Sequence, residues 1–189
     1  MNRRDQILDE AARLFAARGF TGVTMAEIGS ACGISGPALY KHFASKEALL
    51  AQMLVSISQT LLGRGQQLSD SAAEPAQILE ALVGWHVEFA ITHPDLIVVQ
   101  SRDWAWLPEA DRERVRDLQR RYLSLWADQL RALDPRLSEP AAQAKAHALF
   151  GLLNSTPHSS LLPAEQMRTM LADMAVGAVG PGAGRVLAR

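Results

Sequence analysis

Apolar residues recur every three or four positions along almost the whole chain, and alternation with a period of two is nearly absent. This spacing predicts an all-α protein of about nine helices. The first helix is read over Arg3 to Arg18, with Ile7, Leu8, Ala11, Leu14 and Phe15 on one face and Gly19 as its stop. In "TMAE", Thr24 and Glu27 have the spacing of a capping box. They open a short second helix that turns Met25, Ile28 and Cys32 inward and ends at Gly33. Ile34 and Ser35 complete a three-residue turn, and Ser35 caps a third helix. Gly36 and Pro37 fall at its first two positions, where proline's missing N–H costs nothing. A cap at Ser45 starts a long fourth helix, striped by Leu49, Leu50, Met53, Leu54, Ile57 and Leu61.

After the loop "SDSAAEP" (69–75), a fifth helix is expected from about Pro75 to His93. "HPDLIVVQSRDWAWLP" holds a shorter sixth, and Pro108 to Leu133 is the seventh. An eighth runs from about Pro140 to Thr156 and a ninth from Pro163 to Val176. The Gly-rich end, "GAVGPGAGRVLAR", reads as a flexible tail.

Two short helices joined by a glycine-containing turn, with a supporting helix before them, make a helix-turn-helix. Leu39 and Phe43 point inward and anchor the second of the pair. Ser35, Gly36, Pro37, Ala38, Lys41 and His42 are left near its N-terminus or on its outer face, with Tyr40 alongside. In this motif the N-terminal end of the second helix enters the DNA major groove. Gly36 and Pro37 let backbone come close there, and Tyr40, Lys41, His42 and Lys46 are placed to donate to flanking phosphates. Arg3 and Arg4 either reach the adjacent minor groove as an arm or are solvated terminal charges.

Residues 7–50, "ILDEAARLFAARGFTGVTMAEIGSACGISGPALYKHFASKEALL", resemble the DNA-binding domain of TetR-family (tetracycline-repressor-like) regulators. The likeness rests on the glycine after the first helix, the Thr-x-x-x-Ile core, the Gly-Ile-Ser turn, the Leu-Tyr-x-His-Phe block and the Ser-Lys-Glu opening of the fourth helix. It implies a homodimer that reads a palindromic operator in double-stranded DNA, and a C-terminal body that binds a small hydrophobic effector. The organisation expected is a DNA-binding domain over 1–46, a helical effector and dimerisation domain over 47–178 and a tail over 179–189. Carried over position by position, Thr24, Tyr40, His42 and Lys46 would touch phosphate, while Ser35, Gly36, Pro37, Ala38 and Lys41 would face the groove. Gly36, Pro37 and Ala38 lack side-chain donors for bidentate base recognition. Readout is therefore expected to lean on thymine-methyl contacts, on Lys41 and on DNA shape.

Charge adds modest support. The net charge is −1, yet residues 1–46 carry six Lys/Arg against four Asp/Glu, which directs a polyanionic partner to the N-terminal quarter. With 48% hydrophobic and 21% charged residues the composition is that of an ordinary globular protein. The lone cysteine, Cys32, excludes an intramolecular disulfide and fits a reducing compartment. No stretch has the length of a membrane span or the form of a signal peptide, so a soluble cytoplasmic protein without membrane partners is expected.

In the body, "AAQAKAHALFGLLNST" is apolar on nearly every side and is expected to be buried all round. Ala141, Ala144, Ala148 and Gly151 form a face small enough for close backbone contact. Together with Met167, Met170, Leu171 and Met174 of the ninth helix, this suits a four-helix dimer interface through helices 8 and 9. The alternative is that both helices fill a monomer core. Candidate effector contacts are His86, Phe89, Trp104, Tyr122, Trp126, His147, Phe150 and Asn154, polar groups set into apolar and aromatic stripes. Each histidine has an alternative reading as an ordinarily bonded core or surface residue. Arg112, Arg116 and Arg120 form either an anion-binding strip or a solvated face laced with i,i+4 ion pairs. No phosphate loop, nucleophile elbow or metal-ligand spacing occurs, so no catalytic residue, metal or cofactor is expected. The rival classes are an all-α enzyme and a ligand-binding relative without operator recognition.

Overall fold

The computed structural model describes residues 3–159 and 161–179; of the tail expected over 179–189, Val179 instead closes the last described helix and the rest lies outside the described residues. Among the described residues the chain folds into nine α-helices and no strands. They are α1 (Arg3–Arg18), α2 (Met25–Ala31), α3 (Gly36–Tyr40), α4 (Lys46–Ser69), α5 (Pro75–Thr92), α6 (Pro94–Arg102), α7 (Glu109–Leu133), α8 (Glu139–Leu153) and α9 (Ala164–Val179). Single 3-10 turns occur at Trp104–Trp106 and Thr156–His158. The caps read from the sequence form. Thr24 and Glu27 exchange their capping-box hydrogen bonds, Ser35 Oγ accepts from Ala38 N–H, and Ser45 Oγ accepts from Ala48 N–H at 3.0 Å.

The chain divides into two compact units. One takes the residues up to Gln59 together with Asp95–Asp117, and so contains α1–α3, most of α6 and the beginnings of α4 and α7. Its core is built from Ile7, Ala11 and Phe15 of α1, Ile28 of α2, Leu39 and Phe43 around α3, Leu49, Leu50 and Leu54 of α4, and Leu96, Val99 and Val115. The other takes Thr60–Pro94 and the chain from Leu118 onward. There α5 packs against α8 and α9. Leu79, Leu82 and Val83 meet a core that includes Trp126, Ala142, Ala146, Leu149, Leu153, Met167 and Leu171.

Within one chain α8 is not buried all round. Ala142, Ala146, Leu149 and Leu153 face the core, whereas Ala141, Ala144, Ala148 and Gly151 are exposed. The methionine stripe of α9 divides in the same way: Met167 and Leu171 point inward, while Met170 and Met174 are 37% and 50% exposed. A helix with apolar residues on both sides is thus left uncovered along one of them.

Candidate functional site

The helix-turn-helix is held by its packing, since seven- and five-residue helices have too few internal bonds to persist alone. Leu39 is fully buried and Phe43 nearly so, which pins α3 by its inner side. The turn depends on Gly33, whose φ of +66° only glycine adopts without strain. Ile34 N–H returns to Gly29 O at 2.9 Å and closes the loop. Pro37, Tyr40 and Lys41 then stand exposed, and Gly36, Ala38 and His42 are half-buried on the same short element. Thr24 is exposed at the start of α2, but its hydroxyl is engaged with Glu27 Oε2 at 2.7 Å. Glu27, bonded by the Thr24 hydroxyl and backbone and by Arg18, has its carboxyl pulled down to about 2.

Lys46 is placed differently from its neighbours in the motif. Its Nζ donates to Phe20 O at 2.8 Å and Val23 O at 2.7 Å and lies 4.4 Å from the Phe20 ring centroid. Two of its three N–H groups therefore brace the α1–α2 connection. Arg3 and Arg4 sit within the first turn of α1, and their guanidinium groups reach Cys32 O and His42 O.

A second brace was not visible in the residue pattern. Asp103 is buried, and its Oδ1 accepts from Phe20 N–H at 3.3 Å. Arg102 donates to both of its carboxylate oxygens at 3.1 Å, to Ala16 O at 3.0 Å and to Phe15 O, the closing carbonyls of α1. Trp106 stacks on Phe20 at 5.5 Å between centroids. Nothing in "SRDWAW" has a period that would have singled out Asp103; the only available signal was an acid next to an arginine among aromatics.

In the other unit, six of the eight expected effector residues come together. His86 is buried on α5; its Nε2 lies 3.1 Å from Asn154 Oδ1 and its Nδ1 3.4 Å from the Tyr122 hydroxyl. With the Asn154 oxygen facing the ring, Nε2 carries the proton and the bare Nδ1 accepts from Tyr122 O–H. The imidazole lies parallel to Phe150 at 4.9 Å and meets Phe89 and Trp126 edge-on. Burial pushes His86 down to about 4, against the opposing pull of the Asn154 bond, and pushes the Tyr122 phenol up. The cluster is consequently uncharged at neutral pH. Gln119 Nε2 is buried without a hydrogen-bond acceptor.

The remaining two residues are elsewhere. Trp104 belongs to the first unit, beneath the Arg116 guanidinium at 5.7 Å, and His147 is exposed on α8. The sequence reading also missed Gly65, because its role is visible only as proximity: a Cβ there would stand 2.7 Å from Tyr122 Cε2. Arg112 and Arg116 both pair with Glu109, and Arg112 donates to Leu107 O, an arrangement of local ion pairs and caps. Glu88 pairs with Arg168.

Comparison with known proteins agrees with this geometry. Residues 7–53 match the pattern described as "Bacterial regulatory proteins, tetR family", and residues 72–158 match "Tetracyclin repressor-like, C-terminal domain". The HTH-type transcriptional repressor KstR2 of Mycolicibacterium smegmatis is 36% identical over 131 residues, which cover 67% of this chain and 62% of that protein. The chain thus spans under two thirds of that curated relative's length. A crystal structure of a TetR-family transcriptional regulator from Bordetella parapertussis superposes with a TM-score of 0.84 at 30% identity, covering 95% of this chain and 94% of that one. AibR, solved in complex with isovaleryl coenzyme A and operator DNA, shares the fold with a TM-score of 0.74 at 23% identity, over 93% and 97% of the two chains. Two family patterns that follow one another along the helices, and a relative matched from end to end, lead to one conclusion: the chain belongs to the tetR family of bacterial regulatory proteins.

Proposed function

We propose that the protein is a homodimeric repressor that binds a twofold-symmetric operator and releases it when a small hydrophobic effector occupies the body. The observation that carries this reading is α3, a five-residue helix pinned by Leu39 and Phe43 with Pro37, Tyr40 and Lys41 turned outward. An N-terminal helix end with small residues and flanking donors is what groove insertion requires. The relatives support it: KstR2 is named a transcriptional repressor, and AibR was solved with operator DNA and an acyl coenzyme A. No enzymatic step is assigned, and the cytoplasm, where DNA is accessible, is the proposed location. No described helix is long and apolar enough to cross a membrane.

In this reading Ser35, Gly36, Pro37, Ala38 and Lys41 face the groove, and Tyr40 and His42 reach phosphate; Thr24 joins them only by turning its hydroxyl proton away from Glu27. Lys46 braces the α1–α2 connection and has one N–H left for phosphate. The exposed Ala141, Ala144, Ala148 and Gly151 of α8, with Met170 and Met174 of α9, supply the dimer face. Such a dimer would set its recognition helices about 34–36 Å apart, one turn of DNA. The effector would lie against the His86, Tyr122 and Asn154 cluster. An uncharged polar trio among three further aromatic rings, Phe89, Trp126 and Phe150, suits an apolar molecule with few hydrogen-bonding groups.

The test is selection of bound fragments from a random DNA library, followed by titration of the recovered duplex at several salt concentrations. A palindromic site with a steep salt slope is expected. Failure to enrich any site, with weak non-specific binding only, would replace the reading with a ligand-binding relative that lacks operator recognition. The absence of side-chain donors at Gly36, Pro37 and Ala38 is what keeps that second reading in view.

A further inference from the structure

The first turn of α1 carries two consecutive arginines whose guanidinium groups fold back over the helix-turn-helix. Arg3 Nη2 donates to Cys32 O at 2.7 Å, and its Nη1 donates to Gln6 Oε1 at 3.2 Å. Arg4 Nη1 donates to His42 O at 2.9 Å, and its Cζ stands 4.4 Å from the centroid of the Phe43 ring. The two carbonyls they reach flank the recognition helix. Cys32 is the C-cap of α2 and opens the turn; His42 lies just past the C-cap of α3. Carbonyls at helix ends lack intrahelical partners, and a cation there also meets the favourable end of the helix dipole. A five-residue helix with no capping glycine at its far end depends on such outside partners for its orientation.

We infer that Arg3 and Arg4 are positioning residues for the recognition helix, one tying down the turn that enters α3 and the other the segment that leaves it. Neighbouring side chains on one helix thus hold both ends of α3, so its tilt is set from α1. The same bonds hold both guanidinium groups against the protein's own backbone, which competes with a role as a minor-groove arm. The inference rests on the operator-binding reading for its consequence, though the clip itself exists in the DNA-free protein. Its effect on binding is selective: a specific complex needs α3 in one orientation, whereas non-specific attraction to phosphate does not. Lysine keeps the charge but has no planar fork to bond His42 O while lying on Phe43, so it replaces arginine poorly here.

The experiment uses the full chain and two duplexes of equal length, one recovered from a random library with the wild-type protein and one scrambled. Arg4→Met, Arg4→Lys and Arg3→Met are titrated at several salt concentrations, and the DNA-free proteins are compared by amide hydrogen exchange. Each variant should lose about fivefold in affinity for the recovered duplex, the net effect of one ordinary, solvent-exposed hydrogen bond. Affinity for the scrambled duplex should stay within about twofold, and the salt slope should not change. Exchange at the His42 and Phe43 amides, both bonded to Leu39 O, should speed up in Arg4→Lys while α4 is unaffected. A salt slope lower by about one in Arg4→Met and restored in Arg4→Lys would make Arg4 a phosphate or minor-groove contact and overturn the inference. Equal losses on both duplexes, or unchanged exchange, would overturn it too. Faster exchange with no site recovered by the wild-type protein would instead leave the clip standing and sink the operator reading. If Arg4→Met does not fold, Arg4→Lys decides.

Discussion

Gly65 offers a test in which two effects of opposite sign compete. It lies in the interior of α4, where replacing glycine by alanine ordinarily stabilises a helix by about 1 kcal/mol. Here a methyl group would stand 2.7 Å from Tyr122 Cε2, 3.0 Å from Tyr122 Cδ2 and 3.3 Å from Leu125 Cδ1. Carbon atoms prefer roughly 3.5–4.0 Å, so the tyrosine ring would have to retreat by about 1 Å. It has little room to do so. Tyr122 is 4% exposed, stacks on Phe150 at 5.4 Å and meets Trp126 edge-on. Overpacking of this kind costs about 1–3 kcal/mol, and the 3.4 Å bond to His86, already long, would be lost for about 1 kcal/mol more. Gly65→Ala should therefore destabilise by about 1–3 kcal/mol net. In a Tyr122→Ala background only the 3.3 Å approach to Leu125 Cδ1, the end of a flexible side chain, remains, and the same substitution should stabilise by about 0.5–1 kcal/mol. Gly84→Ala, on α5 with nothing within 4 Å of its Cβ position, is the internal control and should stabilise in both backgrounds. Urea unfolding followed by circular dichroism and tryptophan fluorescence gives all four differences, provided the two probes coincide. If Gly65→Ala stabilises equally with and without the Tyr122 ring, the close approach on which the reasoning stands is refuted.

Removing the buried Asp103 carboxylate should also be costly. Asp103→Ala leaves Phe20 N–H without its acceptor and releases Arg102, for a loss of about 2–3 kcal/mol by urea unfolding. Asp103→Asn keeps an oxygen for Phe20 and should lose less; equal losses would show that the charge alone matters. His86 links stability to pH. Its folded value of about 4 lies below the ordinary 6.5, so the unfolded chain binds the extra proton between those values, and stability should fall by about 3 kcal/mol as pH drops through that window. A His86→Phe variant that keeps the same slope would trace it to other groups. Ala148→Glu places a charge on the exposed small-residue face of α8; light scattering should report a monomer with weakened operator binding, and an intact dimer would move the interface elsewhere.

Local signals carried the reading wherever the physics is local. Thr24, Ser35 and Ser45 cap the helices they precede because a side-chain oxygen three residues ahead of an unpaired N–H needs nothing from the rest of the fold. The 3.6-residue stripe likewise placed the longer helices among the described residues, while α2 and α3 were placed by their caps and the turn between them. The convergence of His86, Phe89, Tyr122, Trp126, Phe150 and Asn154 was legible as polar positions inside apolar stripes. Trp104 and His147 satisfied the same pattern and lie apart from the cluster, since a stripe says which side of a helix is apolar and not what it meets. For the same reason α8 looked like a fully buried helix while one of its faces is exposed in the single chain.

Periodicity, capping and turn chemistry in the chain itself were enough for an all-α architecture, for the helix-turn-helix and for the face of α3 that is turned outward. Other features depend on pairs far apart in sequence. Asp103 receives the Phe20 N–H across 83 residues, His86 and Asn154 pair across 68, and Arg4 reaches His42 across 38. Lys46 is expected at phosphate from its place flanking the helix-turn-helix and from the family resemblance; folding also brings two carbonyls within reach of its ammonium group. No pattern along the chain encodes these partners. At Phe20, His86 and Lys46 a buried or half-buried donor must find an acceptor, and for these as for the exposed Arg4 the acceptor that lies near is decided only when the helices pack.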